Sequence, residues 1–278
     1  MFFKKTKKTF FFRLLQIILV LSVCFVLIDA AWVEPRLLEI RRFDYSSNQT
    51  PEAFVGKKIV FASDFHYGFG FFDYDRLIET IEAEKPDILL LGGDYTDKDP
   101  SFSEEILKKV AAIPVPLGIY GVYGNHDNIR KYRGEIKEIM ARVGIRDVNN
   151  NSFWVESEGQ RIKIGGVGDL ATDYQKIGNT ILDVKTDDLV MLLSHNPDYF
   201  QDYPNAKIDL TFSGHNHGGQ LGLGFWYPYI PSKYGHKFLS GRIDENNQTL
   251  FVSKGIGTTN IPMRFMAKPD ILVITLTK

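Results

Sequence analysis

Five of the six histidines in this 278-residue chain stand in short polar clusters, and each cluster follows an apolar run of strand length. Asp64, Asp94 and Asn125 also stand directly after such runs. Carboxylate, imidazole and amide groups together suit Mn, Fe or Zn, whereas calcium prefers a site made only of oxygen atoms. The pattern therefore predicts a metal site among Asp64, His66, Asp94, Asn125, His126, His195, His215 and His217.

The spacing within two clusters indicates how their side chains reach a common site. Asp64 and His66 are two residues apart, as are His215 and His217. Alternate residues of an extended chain point to the same side. Each pair is therefore expected to face one site.

Two further clusters add different chemistry. Asn125 and His126 are adjacent, so their side chains should diverge, and one can bind a metal while the other stays free for proton transfer. Asp94 follows Gly92 and Gly93, and its carboxylate has two oxygens that can bridge a pair of cations. The sequence is thus compatible with a site for two metals.

These clusters require strands that end side by side. Five near-continuous apolar runs have strand length, as expected when both faces of a sheet are covered: KIVFASD, DILLLGGD, GIYGVYGNHD, LVMLLSHNPD and IDLTFSGHNH. Between them, segments with apolar residues at three-to-four spacing predict helices with Asp73, Ser103 and Asn128 as N-caps. SFWVES and QRIKIGGVGD have no helix between them, so part of the sheet should be antiparallel. The pattern predicts an α/β domain whose ligands bind at the carboxyl ends of the strands.

Five motifs in a fixed order carry a family resemblance: SDFHYG, GGDYTD, VYGNHDN, LSHNPD and SGHNHGGQ. Together they resemble the calcineurin-like metallophosphoesterases over roughly Lys57 to Gln220. The segment SKGIGTTNIPMRFMAKPDILVITL is similar to the closing segment of the membrane-associated bacterial branch. The resemblance implies a four-layer α/β fold, in which a two-sheet β-sandwich is flanked by helices.

The resemblance also implies different roles for the residues of the site. One metal is expected on Asp64, His66 and His217, and the other on Asn125, His195 and His215, with Asp94 bridging them. The metals, which the sequence does not identify among Mn, Fe and Zn, would activate a bridging hydroxide for in-line attack on phosphorus. His126 would face the leaving group as a general acid or electrostatic stabiliser.

Three other residues are predicted to contact the substrate. Gly218 and Gly219 would let the backbone approach it, although a tight turn explains them equally well. Arg264 could meet a substrate phosphate, and a surface or ion-paired arginine is the alternative. The loop from Leu223 to Gly235 is rich in aromatic residues, which favour membrane interfaces but also pack in protein cores.

The N-terminal segment has the composition of a membrane anchor. From Phe10 to Ile28 only Arg13, Gln16 and Ser22 interrupt an apolar run, and about 20 such residues span a bilayer. We expect an uncleaved signal anchor over residues 1–31, a connecting segment with a first strand over 32–56, and the phosphoesterase domain over 57–278. A cleaved signal peptide, lipidation of Cys24 and a buried helix are the alternatives.

The charge of the chain indicates its orientation and its partners. The first thirteen residues carry five of the 33 basic residues and no acid, which favours a cytoplasmic N-terminus and an extracytoplasmic catalytic domain. With all 34 acidic residues, the rest of the chain is acidic by six charges, so no nucleic-acid partner is expected.

The resemblance and the anchor together imply a membrane-anchored phosphodiesterase or pyrophosphatase. Its expected partners are the lipid bilayer and a lipid-linked or nucleotide-lipid substrate. One alternative is the hydrolase of UDP-2,3-diacylglucosamine in lipid A synthesis, whose substrate faces the cytosol. A second alternative is a non-catalytic binding scaffold. The protein-phosphatase branch shows Asp-Arg-Gly where this chain has Asp97, Lys98 and Asp99, which disfavours dephosphorylation of proteins.

Overall fold

Two six-stranded mixed sheets form the body of the protein, in a computed structural model that describes residues 2–97, 99–128 and 134–278, with side chains from Phe10 onward. The first sheet has the order β1-β12-β2-β3-β4-β5, and the second has the order β10-β11-β9-β8-β7-β6. The strands are β1 (Glu39–Ser46), β2 (Lys58–Ala62), β3 (Ile88–Leu91), β4 (Ile119–Gly121), β5 (Arg146–Asp147), β6 (Ser152–Ser157), β7 (Gln160–Gly166), β8 (Val190–Leu193), β9 (Leu210–Ser213), β10 (Gly241–Glu245), β11 (Gln248–Val252) and β12 (Asp270–Thr277).

Strand directions explain why the sheets are mixed. Strands β2, β3 and β4 are parallel to one another, as are β7, β8 and β9. Strand β6 pairs with β7 in the antiparallel sense, which confirms the expectation for two strands with no helix between them. The connecting segment contributes β1, which pairs in parallel with β12 along its whole length.

Alternation along the central strands divides the apolar residues into three packed layers. In β3, Leu90 faces the space between the sheets, whereas Leu89 and Leu91 face the helices. In β8, Met191 also lies between the sheets, while Leu192 packs outward. Both faces of these strands are therefore buried, which accounts for their near-continuous apolar sequences. The predicted sandwich with helices on its outside is confirmed.

Five α-helices accompany the sheets within the described ranges: α1 (Phe2–Ile28), α2 (Tyr74–Glu84), α3 (Pro100–Ala111), α4 (Glu135–Val143) and α5 (Gly178–Ile181). Helices α2, α3 and α4 cover the first sheet. Short 3₁₀ turns, including Pro197–Asp202 and Gly235–Phe238, cover the second sheet.

Of the two predicted helix starts that lie within the described residues, one is confirmed and one is wrong. Asp73 caps α2 as predicted, and its side chain accepts a hydrogen bond from the Arg76 amide. Helix α3 begins earlier than predicted, because Asp99 is the N-cap and Pro100 occupies the first helical position, so Ser103 is a buried interior residue. Helix α4 begins at Glu135 rather than after Asn128, and residues 129–133 lie outside the described ranges.

Helix α1 leaves the body and its end is tied back to it. From Phe10 to Ile28 its side chains are exposed, so it packs against no other described part of the chain. Its length and apolar composition would let it cross a membrane. After α1, the Ala30 carbonyl accepts a hydrogen bond from the Arg264 amide at 2.8 Å. The buried Glu34 carboxylate accepts hydrogen bonds from the amides of Met266 and Ala267. These contacts fix the end of α1 to the segment before β12.

Candidate metal centre

The candidate site lies where the carboxyl ends of five strands from both sheets meet. Asp64 and His66 follow β2, Asp94 follows β3, and Asn125 and His126 follow β4. From the second sheet, His195 follows β8, and His215 and His217 follow β9. All eight residues therefore come to one edge of the sandwich, as expected for ligand sites in α/β sheets.

The backbone of these loops is not extended, so the expectation that alternate residues of an extended chain bring each pair to the site is wrong. Five of the eight residues are non-glycine residues with positive φ: Asp64 (54°), His66 (45°), Asp94 (54°), His215 (68°) and His217 (50°). Left-handed backbone is unfavourable for residues with a Cβ, and it clusters at functional sites where the surrounding structure enforces it. The paired residues reach the site through left-handed turns and not through strand alternation.

Two glycines make room for the loops. Gly93 has φ of +95°, and a Cβ there would lie 2.3 Å from the Gly124 amide nitrogen. A Cβ on Gly214 would lie 2.1 Å from the Asp64 carboxylate. Both positions require close backbone approach, so only glycine fits without displacing a candidate ligand.

The first group of side chains consists of Asp64, His66 and His217, whose donor atoms all lie within 4.8 Å of one another. The Nε2 atoms of His66 and His217 are 3.1 Å apart. Nε2 of His217 lies 3.4 Å from Oδ1 of Asp64. These three side chains converge on one point.

The second group consists of Asp94, His195 and His215, again within 4.8 Å. Nε2 of His195 lies 3.2 Å from Oδ2 of Asp94 and 3.3 Å from Nδ1 of His215. The same Oδ2 of Asp94 lies 3.8 Å from Nε2 of His66, which belongs to the first group. Asp94 therefore stands between the two groups.

The donor atoms fit divalent cations. Close ring nitrogens cannot all hold protons without repulsion, whereas a cation between them would accept a lone pair from each. Oδ1 of Asn125 is buried and has no hydrogen-bond partner within the described part of the chain. A buried amide oxygen without a partner is costly, and a cation held beside it would satisfy it.

Burial and mutual charge shift the pKa values of these groups. Burial, together with the neighbouring His66, lowers the pKa of His217, and burial with His195 lowers that of His215. Burial alone would raise the pKa of Asp94, but the adjacent histidines outweigh it and hold that pKa well below its usual value. Neutral His215 and His217 beside an ionised Asp94 are in the protonation states that metal binding requires. Burial would lower the pKa of His195, but Asp94 outweighs it and raises that pKa well above its usual value, so a metal bound there would displace a proton from that ring.

Asp97 is a site residue that the sequence analysis did not identify. Its Oδ1 lies 2.7 Å from Nδ1 of His66 and 2.6 Å from Nδ1 of His126, so one carboxylate orients two histidines. Burial opposes protonation of His126, but the hydrogen bond to Asp97 and the charge of Asp94 outweigh it and raise the pKa of His126 to about 9. The position of Asp97 three residues after Asp94, in the same polar cluster, was the signal that could have identified it.

A cavity of about 470 Å³ opens beside both groups. Gly219 is among its lining residues, whereas Gly218 faces the Lys254 side chain, which a Cβ would approach to 2.9 Å. Both glycines have positive φ, in agreement with the tight-turn alternative. The lining residues are Asp94, Asn125, His126, His215, Asn216, His217, Gly219, Gln220, Leu221, Pro228, Tyr229, Pro231, Thr259, Asn260 and Ile261.

Arg264 lies elsewhere than the sequence analysis placed it. The side chain is fully buried, and it donates hydrogen bonds to the carbonyls of Gly257, Lys254 and Ala267 at 2.9 to 3.0 Å. It also lies 3.4 Å from Nδ1 of His217. Burial lowers the pKa of the guanidinium to about 10. The arginine therefore holds backbone segments behind the site and is not among the residues that line the cavity.

We expect Arg264→Met to lower the free energy of unfolding by about 2 to 4 kcal/mol, because it leaves several buried carbonyls without donors. Chemical denaturation of the detergent-solubilised chain measures the change. Arg161→Met, at an exposed arginine over the Trp154 ring, is the matched control and should cost less than about 1 kcal/mol. Equal losses in the two variants would contradict the assigned role of Arg264.

Comparisons with known proteins agree with this geometry. The calcineurin-like phosphoesterase family model matches residues 57–219. The chain is 31% identical to the uncharacterized metallophosphoesterase YkuE of Bacillus subtilis, over 89% of this chain and 88% of that protein. It is 26% identical to the phosphodiesterase YaeI of Escherichia coli, over 89% of this chain and 90% of that protein. A transmembrane protein with metallophosphoesterase domain from Danio rerio is 28% identical over 81% of this chain, which spans 54% of that protein. The family match includes every cluster from Asp64 to His217.

Proposed function

Because the chain belongs to the calcineurin-like phosphoesterase family and is a metal-dependent phosphoester hydrolase, we propose that it is a membrane-anchored enzyme with two metals. We infer that it cleaves a phosphodiester or pyrophosphate bond in a lipid-linked or nucleotide-lipid substrate. The observation that carries the two-metal proposal is the position of Asp94, which stands between two converging groups of donors beside a cavity.

The proposed ligands follow from the two groups. Asp64, His66 and His217 would hold one cation, and Asp94 would be shared. The other cation would be held by Asn125, His195 and His215. When bound, such a pair of cations stabilises charge on the phosphoryl oxygens and activates water for in-line attack.

His126 is proposed as the proton donor to the leaving group. Its side chain lines the cavity and is 29% exposed, so it is accessible to a substrate, unlike the fully buried His66 and His195. The hydrogen bond from Nδ1 to Asp97 fixes the ring, so that Nε2 would carry a proton to the leaving oxygen. His126 also lies within 4.8 Å of the donor atoms of His66 and Asp94.

We expect Asp97→Asn to lower kcat by about 10- to 100-fold, because orienting partners of ligands and catalytic groups have effects of this size. The same change should weaken metal affinity at the group that contains His66. Steady-state kinetics over a series of Mn concentrations separates the two effects. An unchanged kcat at saturating metal would exclude an orienting role toward His126, whereas an unchanged metal dependence would exclude one toward His66.

The membrane assignment rests on α1 and on the relative from Danio rerio whose name describes a transmembrane protein. The excess of basic residues before α1 supports an extracytoplasmic body. Fusing the C-terminus to a reporter that is active only outside the cytoplasm tests this orientation. Loss of reporter activity would instead favour a cytosol-facing substrate such as UDP-2,3-diacylglucosamine.

One assay tests the proposed reaction. The detergent-solubilised chain, supplied with Mn, is offered bis(p-nitrophenyl) phosphate, p-nitrophenyl phosphate and a UDP-linked lipid. We expect cleavage of the diester or the pyrophosphate in preference to the monoester. Preference for the monoester would overturn the proposed bond specificity. A chain that binds no metal and cleaves none of the three would favour the scaffold alternative.

A further inference from the structure

The end of α1 is held in a fixed orientation by loops that border the cavity. Besides the hydrogen bonds from Arg264 and to Glu34, the Trp32 ring stacks on Phe71 with a centroid distance of 4.7 Å. Phe71 belongs to the loop after His66, and a Cβ on the neighbouring Gly70 would lie 2.7 Å from the Thr258 side chain. The direction in which α1 leaves the body is therefore set by packed contacts and not by a free linker.

Exposed apolar side chains surround this point. Trp32 is 54% exposed and Met266 is 56% exposed, beside the hydrogen bonds that fix α1. Across the Leu221 to Phe265 bridge, a Cβ on Gly224 would lie 3.4 Å from Cε of Met266. This places the aromatic loop next to the end of α1. We define the anchor-side face as Trp32, Phe71, Leu223, Trp226, Ile261 and Met266, all of which are exposed.

The cavity shares a wall with this face. Ile261 belongs to the face and also lines the cavity. Tyr229 of the aromatic loop lines the cavity too, as does Leu221, which precedes that loop. Tyr229 is 71% exposed, so the wall continues to the surface. The cavity that contains the candidate metal ligands therefore opens beside the anchor-side face.

Dimensions connect the face to a bilayer. Trp32 lies four residues beyond the end of α1 at Ile28, within the π-helical turn Asp29–Val33, so it is at most about 6 Å further, the distance that four residues span in an α-helix. The headgroup layer on each side of a bilayer is about 5 to 7 Å thick. Aromatic side chains at the end of a spanning helix are characteristic of this layer. Arg36 lies over the rings of Trp32 and Phe71, where its cation can also reach lipid phosphates.

We propose that the anchor-side face is a docking surface for the headgroup layer of the bilayer that α1 crosses, so that the cavity opens onto lipid phosphoesters held in that bilayer. This inference rests on the proposed function in placing α1 in a membrane. The bilayer is the occupant because the face continues from α1, whose own exposed surface requires lipid.

The three tryptophans of the chain provide the test. Two of them belong to the anchor-side face: Trp226 on the aromatic loop, and Trp32 just beyond the end of α1. Trp154 lies on β6, where its Nε1 donates a hydrogen bond to Asp183 and Arg161 covers its ring. Three full-length variants each keep one tryptophan and have Phe at the other two positions. They are reconstituted in phosphatidylcholine vesicles whose acyl chains carry bromine near the carbonyl, and emission is compared with that in unbrominated vesicles.

We expect Trp226 and Trp32 each to lose about half of their emission in the brominated lipid, as interfacial residues should, while Trp154 loses none. Loss at Trp32 without loss at Trp226 would overturn the docking surface while leaving α1 in the membrane. Loss at neither would overturn the membrane placement itself. Equal loss at all three would also overturn the docking surface, because lipid would then reach Trp154, which lies outside the face. Hydrolysis of bis(p-nitrophenyl) phosphate by the same preparations reports separately on the proposed reaction.

Discussion

His126→Ala is expected to lower kcat by about 10²- to 10⁴-fold, the usual contribution of a positioned acid or base, while both metals stay bound. The reason lies in the surroundings of the ring. His126 lines the cavity, and its Nδ1 is engaged by Asp97, whereas Asp64, His66 and His217 converge in one group of donor atoms and Asp94, His195 and His215 in the other. Removal of the imidazole takes away a proton donor and leaves the two groups of donor atoms intact.

The measurement combines turnover of bis(p-nitrophenyl) phosphate with elemental analysis of the same sample. His236→Ala is the matched control, since His236 is the one histidine outside the clusters and packs against Tyr227. We expect native turnover in that control. Loss of metal from the His126 variant would contradict the proposed role and would assign His126 to the ligands instead.

Asp94→Asn should reduce bound metal to less than one ion per chain and lower turnover by more than about 100-fold. Changes at residues that only orient metal ligands cost up to about 100-fold, and the loss of a shared ligand should cost more. The amide has one acceptor oxygen and no charge, so it cannot serve both groups as the carboxylate does. Removing the negative charge also removes the main favourable interaction of His195, whose pKa Asp94 raises against the effect of burial.

Thermal unfolding with and without Mn provides an independent measurement. A metal that binds only the folded chain raises the unfolding temperature, and this rise should be much smaller in the Asp94 variant. Asp209→Asn is the control, because Asp209 is a buried carboxylate that bonds the Val190 amide and Lys207 outside the site. The same stabilisation by Mn in the Asp94 variant as in the native chain would refute a shared ligand.

The fold was predictable because its strands carry a strong and simple signal. A run such as that in β3 is apolar on both faces, and such runs occur where helices and a second sheet cover a strand. Helix starts were less predictable, since capping depends on a few atoms. Asp99 and Ser103 both suit an N-cap by type, and Pro100 decides between them because proline fits the first helical position.

The candidate ligands were predictable from residue type and from their position after strands, but their geometry was not. The sequence gives no indication that Asp64 and His217 adopt left-handed backbone, because tertiary contacts enforce it. Burial of Arg264 was unpredictable for a related reason. Its partners are backbone carbonyls, which every residue has, so no residue type in the sequence marks them.

The left-handed backbone at five candidate ligands lowers the stability of the fold, although the site depends on the side chains of these residues. Each such residue destabilises the fold by on the order of 1 kcal/mol relative to a glycine, which adopts this conformation without a Cβ clash. A chain selected only for thermal resistance would therefore carry glycine at Asp64, His66 or His215. Engineering for heat tolerance in this protein should leave these loops alone and seek its gains in the sandwich and its helices.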